Sequence, residues 1–131
     1  MYYVLVPLAG TMPGGLVEET VIVIAGGSCN MRVHDLSYVR SGDKGDIANV
    51  VVLARDSEAY ECLERGLVPE AIAAYMGDMV QGPIVVYPLP NLQAFQIVMH
   101  AALGGGATRT LRFDGTGKSM CATLSRMELA V

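Results

Sequence analysis

The chain has 131 residues, a net charge of −4 and 52% hydrophobic residues. This length fits a single ordinary domain, and scattered Lys and Arg residues in an acidic chain exclude a nucleic-acid partner. The apolar composition predicts surface that meets another protein, because a surface facing only water is usually about a quarter charged or more. No apolar run approaches the ~20 residues of a membrane span, so no membrane partner is expected.

The N-terminal part contains two apolar segments, Tyr2–Leu8 and Leu16–Ala25, with a glycine-rich stretch between them. The β-branched residues of the second segment allow a hairpin of strands. The alternative is an appendage outside the folded unit. Because the pattern changes at Met31, the sequence favours an N-terminal extension over residues 1–30 and a compact domain over residues 31–131.

Residues 47–54 form a continuous apolar run, which predicts a central strand that is buried on both faces. A helix is predicted over residues 57–65, because Asp56 is a favourable N-cap and Gly66 suits the position after the helix. A second helix should begin at Pro69 and stop at Gly77.

Residues 83–90 contain three prolines, which cannot donate to a strand ladder and therefore predict an edge strand or a strand end. Asn91 is expected to cap a helix over residues 92–103 with one apolar face. The triple glycine at 104–106 would end this helix by capping it and by allowing close backbone packing.

Alternating side chains over residues 107–113 predict a further strand, with Arg109 on its apolar side together with Leu111 and Phe113. Met120, Leu124 and Met127 have helical spacing and predict a final helix that runs into the C-terminus. The order of elements therefore predicts an α+β fold, a ferredoxin-like sandwich with helices packed on a mainly antiparallel or mixed sheet.

Several short motifs occur together within residues 32–129. They are Ser41–Asp46 with Ala48–Asn49, Ala54–Asp56, Pro90–Leu92, His100–Gly106, Thr108–Arg112, Gly117–Ser119 and Arg126–Glu128. Together they resemble the ferredoxin-fold domain of the AtuA-like family, named for acyclic terpene utilisation. The resemblance implies a partner, a larger AtuA-like domain that is fused or a separate chain. It also implies a pathway, the catabolism of acyclic terpenes and branched acyl compounds.

The segment Ser41–Asp46 is the predicted site. Its glycines allow amides to turn towards an anion, Lys44 adds positive charge, and two acids could orient a substrate or accept a proton. The alternative is a turn in which both acids bond backbone amides. The expected binding residues are Ser41, Gly42, Asp43, Lys44, Gly45, Asp46, Asn49 and Arg109. The catalytic candidates are Asp43, Lys44 and Asp46.

Other motifs argue against familiar chemistries. Gly117-Lys118-Ser119 ends like a phosphate-binding P-loop, but Arg112 occupies the place of the first required glycine. Neither His34 nor His100 has acids or cysteines at metal-ligand spacing. The three cysteines form no CxxC pair, which fits a reduced, cytoplasmic setting. We therefore expect no metal and no cofactor, and a chain that is not catalytic alone.

Residues 79–108 contain no Asp, Glu, Lys or Arg. Since the cores of interfaces are depleted in charge, this segment predicts burial against another chain; the alternative is a domain with helices on both sides. The leading hypothesis is a small subunit of a hetero- or homo-oligomer that docks on a large AtuA-like chain and helps to bind an acyl substrate. The alternative is an independent homo-oligomeric domain that binds a small anionic metabolite.

Overall fold

The computed structural model describes residues 2–5, 21–24 and 30–130 of the chain. Within these ranges it contains eight strands and four α-helices. The strands are β1 (Tyr2–Leu5), β2 (Val21–Ile24), β3 (Asn30–Arg32), β4 (Ser37–Lys44), β5 (Ile47–Ala54), β6 (Ile84–Leu89), β7 (Ala94–Met99) and β8 (Glu128–Ala130). The α-helices are α1 (Val33–Leu36), α2 (Ser57–Gly66), α3 (Pro69–Met76) and α4 (Met120–Ser125).

The main sheet has four strands in the order β4-β5-β7-β6, and every pairing in it is antiparallel. A smaller sheet joins β3 to β8, so the two ends of the compact part pair with each other. As predicted, β5 is an interior strand and the proline-containing β6 is an edge strand. The fold is α+β and ferredoxin-like, as the order of predicted elements indicated.

The strands β1 and β2 form a hairpin-like antiparallel pair in a sheet of their own. A hairpin of strands was one of the two alternatives for the N-terminal apolar segments, and an appendage was the other. The division of the chain at residue 31 stays a prediction. No helix in the described ranges is long and apolar enough to cross a membrane.

Both helices predicted in the middle of the chain are confirmed. The Asp56 carboxylate accepts a hydrogen bond of 2.8 Å from the amide of Ala59, which satisfies one of the free amides at the start of α2. Helix α3 begins at Pro69 and is followed by Gly77, whose φ of +51° suits a residue without a β-carbon.

The core lies between the helices and one face of the main sheet, called here the inner face. Val50, Val52 and Ile97 are fully buried on the inner face, and Leu63 and Leu124 of the helices are fully buried against them. The prediction that β5 is buried on both faces is wrong. Its residues alternate in burial, and the intervening Val51 and Leu53 are 39% and 43% exposed.

The helix predicted over residues 92–103 is also wrong, because residues 94–99 form strand β7. The β-branched and aromatic run from Phe95 to Val98 suits a strand, and pairing with both β5 and β6 decides the outcome over local propensity. The last predicted helix is correct only as far as Ser125, after which the chain enters β8.

Candidate functional site

The predicted site segment Ser41–Asp46 is mostly strand and not the loop that its polar residues suggested. Strand β4 continues to Lys44, which pairs with Ile47 of β5 and leaves a turn of two residues, Gly45 and Asp46. Gly45 has a φ of +66°, while Asp46 does not have a positive φ. This pattern matches a type II′ hairpin turn, which calls for glycine at its first central position.

Asp46 ties the hairpin turn to the triple-glycine segment. One carboxylate oxygen accepts hydrogen bonds from the amides of Leu103 at 3.0 Å and Gly105 at 2.8 Å. The backbone oxygen of Asp46 also accepts from the amide of Ala102 at 3.0 Å. The acid therefore caps backbone amides, as the structural alternative for this segment proposed.

The triple glycine follows a strand and a turn, so the expected role as a helix cap is wrong. Close backbone packing accounts for Gly106, since a β-carbon there would lie 2.7 Å from the Gly45 carbonyl oxygen. All three glycines also have positive φ values, a conformation that glycine adopts without strain.

Ser41 is buried and joins β4 to the C-terminal part of the chain. Its hydroxyl donates to the Gly117 carbonyl oxygen at 2.6 Å and accepts from the amide of Cys121 at 3.0 Å. The hydroxyl thus acts as both a hydrogen-bond donor and an acceptor within the chain. A turn formed by Gly117 and its neighbours is held against the edge strand as a result.

The opposite face of the main sheet, called here the outer face, carries Gly42, Lys44 and Asn49 of the predicted site. Strand alternation places Gly42 and Lys44 there, opposite Asn49 and Ile47. Lys44 is exposed, and Asn49 accepts a long hydrogen bond of 3.4 Å from Gln96. Asp43 pairs with Ala48 and belongs to the inner side of the strand.

Residues 107–113 form turns, so the predicted strand is wrong. Arg109 is exposed, and its amide donates to the Gly106 carbonyl oxygen at 2.9 Å. Arg112 has the more specific contacts, because its guanidinium donates to the carbonyl oxygens of Ala102 at 2.7 Å and Met79 at 3.0 Å. The segment folds back on the chain through these bonds, which no local pattern could indicate.

Asp114 organises the turn that precedes α4. Its carboxylate accepts from the amides of Lys118 and Ser119 at 2.8 Å and from the Ser119 hydroxyl at 2.6 Å. Partial burial acts to raise the pKa of Asp114, but these hydrogen bonds stabilise the charged form and leave the pKa below its ordinary value. The turn is thereby held in one conformation.

Two large apolar side chains project from this region. Leu111 and Phe113 are as exposed as in an extended peptide, at 104% and 108%. An open groove of about 320 Å³ lies beside Phe113 and is also lined by Asp114, Lys118 and Ser119. The sequence did not indicate this exposed pair, because the predicted strand over residues 107–113 placed both residues on its apolar side.

The described residues contain no group of three or more His, Cys, Asp or Glu placed to hold a metal ion. His34 contacts the Ser125 carbonyl oxygen at 3.2 Å and lies 3.1 Å from an Asp35 carboxylate oxygen. Exposed cations, exposed apolar side chains and a constrained turn lie in the region around the hairpin.

No curated protein and no solved structure matches the chain significantly. A family model described as the AtuA ferredoxin-like domain matches residues 31–130. The match covers most of the chain, the hairpin, the triple glycine and the turn at Asp114 included. The chain therefore belongs to the AtuA ferredoxin-like domain family.

Proposed function

We propose that the chain is a small subunit, or a detached domain, that docks on a large AtuA-like chain through the outer face of its sheet. Its role would lie in the catabolism of acyclic terpenes or branched acyl compounds. Membership of the AtuA ferredoxin-like family supports the AtuA-related role. The nature of the outer face supports the docking.

The apolar outer face is the observation that carries this proposal. Its positions on β5, β7 and β6 include no charged residue. Four of its large side chains are between 37% and 50% exposed, and they are Val51, Leu53, Tyr87 and Leu89. Large exposed apolar patches mark interaction sites in folded proteins, and charge is depleted at the centres of interfaces.

The charge-free segment 79–108 contributes much of this face, although not in the form that the sequence predicted. It supplies β6 and β7 instead of a helix. The uncharged side chains of Gln96 and Val98 are half-buried near the middle of the face. We therefore propose that this segment forms the interface through the outer face of the sheet and not through a helix.

Leu111 and Phe113 supply a second contact for the partner beside the hairpin. Arg112 lies between them and Asp114 follows Phe113, and the hydrogen bonds of both residues hold the backbone, so little conformational freedom would be lost on docking. Aromatic side chains that fill a pocket in the partner often dominate the binding energy of an interface. We expect Phe113 to be such an anchor.

The hairpin tip would contribute to a site shared with the large chain. Lys44 is exposed there and can attract an anionic acyl substrate. Asp43 and Lys44 remain the candidates for a chemical role, since the Asp46 carboxylate is engaged by two amides. Gly42, Gly45, Asn49 and Arg109 remain proposed binding residues around them.

The test is co-purification of this chain with a large AtuA-like chain, using Gln96→Glu to place a charge in the centre of the outer face. Burying an unpaired charge costs several kcal/mol, so we expect the affinity to fall by about tenfold or more. Gln81→Glu is the matched control, because Gln81 is exposed and precedes β6. It should leave the complex intact.

Two outcomes would contradict the proposal. One is assembly that Gln96→Glu does not weaken. The other is a chain that forms homo-oligomers through the same face and does not bind the large chain, as measured by light scattering. The second result would instead support the homo-oligomeric ligand-binding protein.

A further inference from the structure

The chain has two lysines, Lys44 and Lys118, and the fold brings both to the outer side of strand β4. A β-carbon built on Gly42 would lie 3.5 Å from the Lys118 ammonium nitrogen. Lys118 therefore reaches around the edge strand and lies over the one position of this row that has no side chain. A longer side chain at position 42 would occupy the place of the ammonium group.

A third cation belongs to the same row. Arg40 and Lys44 precede and follow Gly42 by two residues and share its face. Residues two apart on a strand are separated by roughly 6.6 Å. Arg40, Lys44 and Lys118 thus form a basic row along the outer side of β4, and all three are exposed.

The charges of the basic row are not neutralised by an ion pair within the described residues. The Asp46 carboxylate accepts hydrogen bonds from the amides of Leu103 and Gly105. The Asp114 carboxylate accepts hydrogen bonds from the amides of Lys118 and Ser119. Asp43 alternates to the inner side of the strand.

An unpaired row of cations is unexpected in a chain whose net charge is −4. Like charges on one face of a strand repel each other, so the local structure gains nothing from their proximity. Three ammonium and guanidinium groups match a multiply charged anion better than a single carboxylate, since each can donate to phosphate oxygens.

We propose that the basic row is a binding site for a phosphate or diphosphate group of a ligand. The inference deepens the proposed function and rests on it for the ligand's place at the junction with the large chain, because the row lies on the outer face beside the apolar part formed by β5, β7 and β6. The anion would lie against β4, with the remainder of the ligand towards the partner. Binding of the charged group requires this chain alone.

The test is titration of the isolated chain with inorganic pyrophosphate at low ionic strength, followed by amide chemical shifts in NMR. We expect saturable binding, with the shifts centred on residues 40–44 and 117–119. Lys118→Gln and Lys44→Gln should each weaken it by about tenfold or more and leave the melting temperature unchanged. Higher salt should weaken binding, because exposed charges are screened.

The matched control is Arg65→Gln, which removes the same charge from an exposed position on α2. It should leave the affinity for pyrophosphate unchanged. An equal loss in this control would show attraction by overall charge and overturn the proposal. So would equal binding of acetate, a preference for a short single-stranded oligonucleotide, or no binding at all.

The anion site and the docking would be contradicted by different experimental results. If pyrophosphate binds to the basic row and the large chain does not dock, the anion site stands and the proposed docking is wrong. If docking is sensitive to Gln96→Glu and pyrophosphate does not bind, the docking stands and the anion site is wrong.

Discussion

The inner and outer faces of the main sheet have similar apolar composition and different environments. Val50 and Val52 are fully buried under the helices, while Val51 and Leu53 between them are 39% and 43% exposed. Neighbouring residues of one strand thus meet the core and the solvent in turn. An apolar strand can therefore carry two functions, folding on one side and, as we propose, docking on the other.

The largest expected effect is a difference in the free energy of unfolding between substitutions on the two faces of β7. Ile97→Ala removes a fully buried side chain from the inner face and should lower the free energy of unfolding by about 2–5 kcal/mol. Val98→Ala, on the outer face of the same strand, should cost about 1 kcal/mol or less. Urea unfolding of the isolated chain measures both, and equal losses would show that the outer face is also buried.

The next effect concerns the contact between the hairpin turn and the triple glycine. Gly106→Ala places a β-carbon 2.7 Å from a carbonyl oxygen at a φ of +84°. Gly45→Ala meets the same left-handed strain at +66° but has open space around it. We expect Gly45→Ala to cost about 1–2 kcal/mol and Gly106→Ala about 1–3 kcal/mol more, measured by thermal unfolding. Equal costs would mean that the hairpin turn can move away from the new β-carbon without loss of stability.

Substitutions of Asp46 are expected to change stability at the hairpin end of the sheet. Asp46→Ala leaves two backbone amides without their acceptor and should destabilise the chain by about 1–3 kcal/mol. Asp46→Asn keeps an acceptor oxygen and should cost less than the alanine variant. If Asp46→Asn retains stability and abolishes activity of the assembled complex, Asp46 is a proton acceptor and its role is more than structural.

The turn at Asp114 predicts a dependence of stability on pH. Because the folded pKa of Asp114 lies below its unfolded value, the unfolded chain binds more protons in the acid range. The stabilisation from Asp114 is therefore complete above about pH 4 and is lost as the pH falls through the folded pKa. Unfolding curves of the wild type and Asp114→Asn should converge towards low pH, and a constant difference would contradict this.

The smallest effect is expected from removal of residues 1–29, which takes away the N-terminal extension as far as the start of β3. In the described residues β1 pairs with β2, whereas β3 pairs with β8. A chain that starts at Asn30 should keep cooperative unfolding and lose no more than about 0.5 kcal/mol. Calorimetry measures both quantities. A broad, non-cooperative transition would show that residues 1–29 belong to the folded unit.

Elements with strong local signals were predictable from the sequence. The cap at Asp56 and the proline and glycine that bound α3 specify both helices through contacts within a few residues. The prolines within and beside β6 likewise indicated an edge strand. Predictions failed where the chain depends on distant partners: residues 94–99 have apolar positions that suit a helix or a strand, and pairing on both sides selects the strand.

The candidate site divides in the same way. The polar segment with Lys44 and its turn glycine is visible in the sequence, and so is the resemblance to a family that the match over residues 31–130 confirms. Lys118 could not be connected with it, because the contact above Gly42 joins positions far apart in the chain. Leu111 and Phe113 looked like core residues until the fold placed them outside.

By itself, then, the sequence determined the short-range features of this protein: two helices with their boundaries, an edge strand, a polar segment with a turn glycine and a segment without charge. Tertiary structure alone decided which face of each strand is buried, that the charge-free segment is sheet, and which cations share a surface. The physical reason is the distance along the chain between the residues that interact. Caps and turns are satisfied by neighbours in the chain, whereas burial and charge proximity depend on the packing of the whole domain.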